Sequence, residues 1–182
     1  TVRKGFQEFA GALAGKTHIM PQGAYQTFER SADVRKRVRA ELGIAPGVTV
    51  VLNAGFGDLR KGVDKFCAIA AEMKAIRKDV AFLWAGHLHI DIKRWIADEM
   101  AGADGAPPVR FLGHRDDISD LMNAADIFLL TSREDPFPSV VLEATQAGLP
   151  VIAFKGAGGI DDLIAAHPVV GRLVDGRDTK AV

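Results

Sequence analysis

Short apolar runs separated by longer amphipathic segments constrain this chain more than any other feature. The runs are Val48–Leu52, Val80–Gly86, Val109–Gly113, Ile127–Leu130, Val151–Phe154 and Val169–Val174, with a shorter one, Thr17–Met20, stopped by Pro21 and Gly23. Each is too short for a buried helix, and most are rich in β-branched or aromatic residues. They are continuously apolar rather than alternating, which is the pattern of strands covered on both faces. Between them lie helical patterns over Ala32–Leu42, from Val63 to Met73, over Asp91–Met100 and Asp116–Asn123, and from Pro138 to Gly148. Strands that alternate with helices pair in parallel, because each parallel connection must return along the sheet and a helix covers that distance. The expectation is an α/β fold with a doubly wound parallel sheet. Phe6, Phe9, Ala10 and Leu13 have helical spacing that ends at Gly15. Residues 1–16 are therefore expected to be an N-terminal helix or part of an interdomain linker, and residues 17–182 one domain.

Size and composition narrow the functional classes. A chain of 182 residues can bury a substantial core, and 48% apolar with 25% charged residues is ordinary for a globular protein. A formal net charge of zero gives no bulk attraction to nucleic acid. The single cysteine, Cys67, excludes an internal disulfide and suits a reducing, cytoplasmic setting. No apolar run approaches the roughly 20 residues of a membrane span, and the N-terminus is not a signal peptide. The chain begins with Thr1 rather than Met, so it reads as an excised fragment.

The stretch from Ala125 to Gly159 carries the chemistry. Ile127–Leu130 is a strand, the polar loop Thr131-Ser132-Arg133-Glu134-Asp135 follows, and a helix begins near Phe137-Pro138-Ser139. Pro138 fits the first helical position, where a missing N–H costs nothing. Gly148 and Pro150 end the helix before the next strand. The loop thus opens at the carboxyl edge of the sheet, where ligands bind in open α/β folds. The amides of Ser139 and Val140 have no intrahelical acceptor and, with the helix dipole, suit a phosphate. Glu143 lies one turn after Ser139 on the same face, among Val140, Val141, Leu142, Ala144 and Ala147, and can reach back toward that helix end.

The run Asp135-Pro-Phe137-Pro138-Ser139-Val140-Val-Leu-Glu143, continued by Ala-Thr-Gln-Ala-Gly148-Leu-Pro150-Val, resembles the acid-x7-acid signature of retaining GT-B glycosyltransferases of the group 1, family 4 type. The resemblance implies that Glu143 binds the ribose of a nucleotide-diphosphate-sugar and that Asp135 lies beside the transferred sugar. Two departures stand out. The first acid is Asp rather than Glu, unless Glu134 serves through a one-residue shift, and Pro138 replaces a glycine and removes an amide donor.

Other segments extend the match. The loop from Asn53 to Gly62 is glycine-rich without a GxGxxG or Walker A pattern, and Gly55 could bring backbone close to a phosphate. Arg60 and Lys61 put two cations at a strand's carboxyl end, where they could neutralise a diphosphate. They are similar to the family's Arg…Lys-Gly element, with Lys61 a direct match and Arg60 a substitute for an arginine the family places nearer Gly55. His114 and Arg115 follow a Phe-Leu-Gly strand end that in the family approaches the nucleobase, so they are expected at its rim. Gly158-Gly159 with Asp162 is similar to the family's Gly-Gly-x-x-Glu run, in a loop that can bend around a ligand. His87 and His89 have no accompanying acid or cysteine array, so no metal site is expected. His18 is read as a packing or surface residue. The basic helix with Arg35, Lys36, Arg37 and Arg39 reads as a solvated face, with a contact to anionic lipid or to another domain as the alternative.

The resemblance implies a Rossmann-like doubly wound domain, one half of a GT-B fold, that binds a nucleotide-sugar donor without a metal or other cofactor. The parent enzyme would transfer a hexose with retention, and the N-terminal acceptor domain would lie outside this chain. The alternatives are a non-catalytic nucleotide-sugar-binding module and half of a GT-B-fold epimerase or phosphorylase. A Rossmann dehydrogenase is disfavoured because the first βα turn lacks GxGxxG.

Overall fold

The computed structural model describes residues 28–99 and 107–175. The helix expected before Gly15 and the strand expected at Thr17–Met20 lie outside them. Six strands form one sheet: β1 (Thr49–Ala54), β2 (Val80–Ala85), β3 (Val109–Gly113), β4 (Ile127–Leu130), β5 (Val151–Phe154) and β6 (Gly171–Val174). Their order is β3-β2-β1-β4-β5-β6, and every pairing is parallel. The order reverses between β1 and β4, so the loops leaving those two strands diverge and open a crevice at the carboxyl edge.

The helices are α1 (Ala32–Glu41), α2 (Val63–Ile76), α3 (Ile90–Glu99), α4 (Ile118–Ala124), α5 (Ser139–Gln146) and α6 (Ile160–Ala166). They cover both faces because successive strand residues point to opposite sides. Val50, Leu52, Phe128, Leu130, Val151 and Ala153 pack with apolar residues of α1, α4, α5 and α6. Val51, Phe82, Trp84, Leu129 and Phe154 face α2 and α3, where Phe66 meets Phe82 and Trp84 edge to face, both with ring centroids 5.4 Å apart. Among the described residues no helix is long and apolar enough to cross a membrane.

Several boundaries and one face differ from the sequence expectations. The last strand begins at Gly171, not Val169, because Pro168–Val170 form a 3-10 turn. A Cβ on Gly171 would lie 2.1 Å from the Val151 carbonyl oxygen, so the strand starts at a residue without a side chain. Pro138 is the residue before α5, with extended backbone at φ −73° and ψ 111°, and Ser139 takes the first helical position. The largest difference concerns α1, which is only partly a solvated basic face: Lys36 and Arg37 are exposed, but Arg35 and Arg39 turn inward. Arg39 is only 8% exposed, donates to the Ala124 carbonyl at 3.0 Å and reaches Asp126 at 3.3 Å. Arg35 donates to the carbonyls of Asn123, Ala124 and Ala125 and to Asp126 at 2.6 Å. Asp126 also accepts the Val50 amide at 2.8 Å. The two arginines satisfy backbone oxygens at the end of α4 and fasten α1 across the β1–β4 junction, and Arg37 pairs with Asp120 at 2.6 Å.

Candidate functional site

A cleft of about 320 Å³ opens at the carboxyl edge of the sheet. Its floor is Ala54 and Gly55 at the end of β1 and Ala85, Gly86 and His87 at the end of β2, with Phe56 at the rim. His114, Arg115 and Ile118 close one side, and Val140 and Glu143 of α5 close the other. Gly86 is needed here: at φ +140°, a Cβ on it would lie 2.0 Å from the Gly55 carbonyl oxygen. The two strand ends therefore touch through backbone and leave the space above them open. The Gly55 carbonyl also accepts the buried Trp84 indole N–H at 3.0 Å.

Of the residues singled out from sequence, Gly55, His114, Arg115, Val140 and Glu143 line this cleft. The Glu143 carboxyl group has no hydrogen-bond or ion-pair partner among the described residues. Its apolar surroundings, predominantly desolvation by burial, hold its carboxyl above the usual glutamate range. An unpaired acceptor in a cleft is poised for a hydroxyl-bearing ligand. Arg115 is committed elsewhere: its guanidinium grips Asp117 with two bonds of 2.7 and 2.6 Å and reaches Glu41 at 3.3 Å. The hydrogen bonds it donates to Asp117 push Arg115 further up. The His114 ring lies parallel to that of His87, with centroids 5.4 Å apart and planes 10° off, and its Nε2 is 3.1 Å from Asp116.

The second cluster borders the cleft beyond Gly55. The Lys61 side chain lies 3.6–3.9 Å from where a Gly55 Cβ would be, and its ammonium forms an ion pair with Asp135. Asp135 is only 5% exposed. The expected sugar-side acid and the expected diphosphate cation are therefore each other's partners. Arg60 points away, exposed, with one N–H to the Glu134 carbonyl at 3.2 Å and its Nε 3.9 Å from Asp58. Phe137 and Pro138 lie outside the lining, as does Ser139, whose backbone amide at the start of α5 has no intrahelical acceptor.

The glycine-rich loop after β5 braces Asp135. The Asp135 amide donates to the Ala157 carbonyl at 2.7 Å, and the Gly159 amide donates to the Pro136 carbonyl at 2.9 Å. A Cβ on Gly158, at φ +148°, would sit 1.8 Å from the Asp135 carbonyl oxygen. Asp162 is exposed on α6 and is not among the residues that line the cleft. His87 and His89 do not converge on a common point, because His89 turns to Asp91 at 3.5 Å and packs edge-on to Phe56. No group of three or more potential metal ligands occurs among the described residues.

Sequence reading missed the supports beneath these groups. Asn53 donates to Thr131 at 3.2 Å in the buried seam between β1 and β4, and Asp58 accepts the Lys61 amide at 2.7 Å. The available signal was a pair of polar residues, Asn53 and Thr131, at equivalent ends of two apolar strands.

Comparison with known proteins agrees with this geometry. Residues 47–182 match the family model "Glycosyl transferases group 1". The chain is 28% identical over 157 residues to lipopolysaccharide glucosyltransferase WaaG of Escherichia coli, covering 84% of this chain and 41% of that protein. It is 30% identical over 179 residues to the D-inositol 3-phosphate glycosyltransferase of Geodermatophilus obscurus, covering 92% of this chain and 39% of that protein. The crystal structure of Anabaena HepE with UDP-glucose superposes with a TM-score of 0.84 at 27% identity, over 98% of this chain and 48% of HepE. The chain thus spans less than half the length of these relatives, and its doubly wound sheet is the Rossmann-like half expected of a GT-B enzyme. It belongs to the glycosyl transferases group 1 family.

Proposed function

We propose that this chain is the donor-binding half of a retaining glycosyltransferase that uses a nucleotide-diphosphate-hexose. The observation that carries the reading is Glu143, an unpaired carboxylate in a cleft whose border holds Lys61. In this reading Glu143 accepts the ribose hydroxyls, and the amides of Ser139 and Val140 and the Lys61 ammonium receive the diphosphate. Lys61, with Arg60 at the edge, offsets the charge that develops as the diphosphate leaves, so no metal is required. Asp135 orients the transferred sugar once Lys61 turns to phosphate. HepE, solved with UDP-glucose, supports a nucleotide-sugar of this type. The acceptor and the opposing cleft wall belong to a second domain, in line with the length of the relatives. A reducing, cytoplasmic setting goes with the buried, unpaired Cys67.

Calorimetric titration with UDP, GDP and ADP, each beside a hexose conjugate, tests the reading. Binding of one diphosphate in the micromolar to millimolar range, weakened about tenfold by Glu143→Gln, is the expected result, since a hydrogen bond to a charged group contributes about 1.5–3 kcal/mol. No binding of any of the three at millimolar concentration sinks it. The Lys61–Asp135 pair favours one second reading, a module that binds donor without turnover. Donor binding without hydrolysis or transfer in the longer protein would mark that case.

A further inference from the structure

Three successive carbonyls, Leu59, Arg60 and Lys61, are all taken by the loop after β4. Arg133 Nη1 donates to Leu59 at 2.6 Å, the Arg133 amide donates to Arg60 at 2.8 Å, and the Thr131 hydroxyl donates to Lys61 at 3.2 Å. The Arg133 guanidinium also forks onto Asp64, in the first turn of α2, with bonds of 2.7 and 2.6 Å. Burial pushes the Asp64 carboxyl up, but the Arg133 bond and charge, together with backbone hydrogen bonds, hold it below the usual range. Behind this turn Gly62, at φ +72°, packs so closely that a Cβ would lie 1.9 Å from the Thr131 carbonyl oxygen.

We propose that Arg133 is a positioning residue that sets the direction of the Lys61 side chain by locking the turn at residues 59–62, through Asp64 and the Leu59 and Arg60 carbonyls. A lysine on a four-carbon stem is mobile, and its charge acts on a ligand only if the stem leaves the backbone in the right direction. The fork supplies that direction, because a planar guanidinium held at two oxygens cannot swivel. Arg133 is not among the residues that line the cleft, so its effect reaches the ligand through Lys61. The inference rests on the donor-site reading, which makes Lys61 the diphosphate cation.

UDP and uridine are the probes, titrated into the chain and into its Arg133→Met, Arg133→Lys, Asp64→Asn, Thr131→Val and Lys61→Met variants. Arg133→Met is expected to weaken UDP about tenfold, the scale of a small misplacement of a binding group, while uridine binding stays within twofold. Asp64→Asn and Thr131→Val act in the same selective way, Arg133→Lys keeps part of the affinity, and Arg133→Met has no further effect once Lys61→Met is in place. If the unaltered chain binds none of UDP, GDP or ADP at millimolar concentration, the donor-site reading falls and takes this one with it. If the chain binds UDP but Arg133→Met leaves the affinity unchanged, only this inference is overturned. An equal weakening of uridine, or a further loss on the Lys61→Met background, overturns it in the same way. Should Arg133→Met fail to fold, the Thr131→Val and Asp64→Asn comparisons decide alone.

Discussion

Lys61 and Asp135, 74 positions apart in sequence, form a largely buried ion pair beside the cleft. Each is held independently: Lys61 by the turn that the β4 loop clasps, and Asp135 by the glycine loop after β5. In the proposed reading a diphosphate draws on the same ammonium that Asp135 holds, so the two anions compete for it. Replacing Asp135 with Asn removes the competitor. Nucleoside diphosphate affinity is expected to rise several-fold by calorimetry, while sugar transfer by the longer protein falls. Lys61→Met does the opposite. It lowers diphosphate affinity and leaves Asp135 buried without a partner, which costs about 3 kcal/mol when a buried pair is broken, readable as a lower denaturant midpoint.

Glu143 sets function against stability. Its carboxyl is held up by desolvation, so the folded state keeps a proton that the unfolded state has released. Stability from this group therefore falls as pH rises from the ordinary glutamate value through the raised one. Glu143→Gln is expected to melt higher than the unaltered chain at pH 7, with the gap closing as pH drops toward 4. Thermal denaturation across that range checks the sign, and a gap that widens on acidification would contradict it.

Asp126 behaves in the reverse sense. Burial raises its carboxyl, but the Val50 amide and the charges of Arg35 and Arg39 prevail and hold it low. Its contribution is complete above the ordinary aspartate value and is lost as pH falls through the depressed one. Asp126→Asn should lower stability at neutral pH and flatten the acid limb of the stability curve, as followed by urea unfolding at stepped pH.

Two glycines separate backbone strain from contact. Gly43, at φ +61°, has nothing within 4 Å of a Cβ, so Gly43→Ala is expected to cost about 1 kcal/mol for the left-handed backbone alone. Gly62→Ala adds a clash with the Thr131 carbonyl and is expected to cost about 2 kcal/mol more, the scale of overpacking. It should also weaken diphosphate binding, because the displaced turn carries Lys61. Equal midpoints for the two variants would show that β4 and the turn separate without cost.

The sequence by itself determined the sheet, the alternation of strands and helices, and the helix end that carries Glu143. These are properties of local periodicity, and a run such as Ile127–Leu130 has few other ways to bury both faces. Gly55, Val140 and Glu143 were legible because backbone ends and helix faces follow from position along an element. What only the tertiary structure decided was where the charges went. Arg35 and Arg39 sit in a run that reads as a wet helix face, yet they turn inward because the end of α4 presents carbonyls within their reach. Asp135 and Lys61 pair, and Arg133 clasps the turn between them, only because β1 and β4 are neighbours at the point where strand order reverses. Strand adjacency is a long-range choice of packing, and no local pattern around Arg133 encodes which carbonyls will lie within its reach.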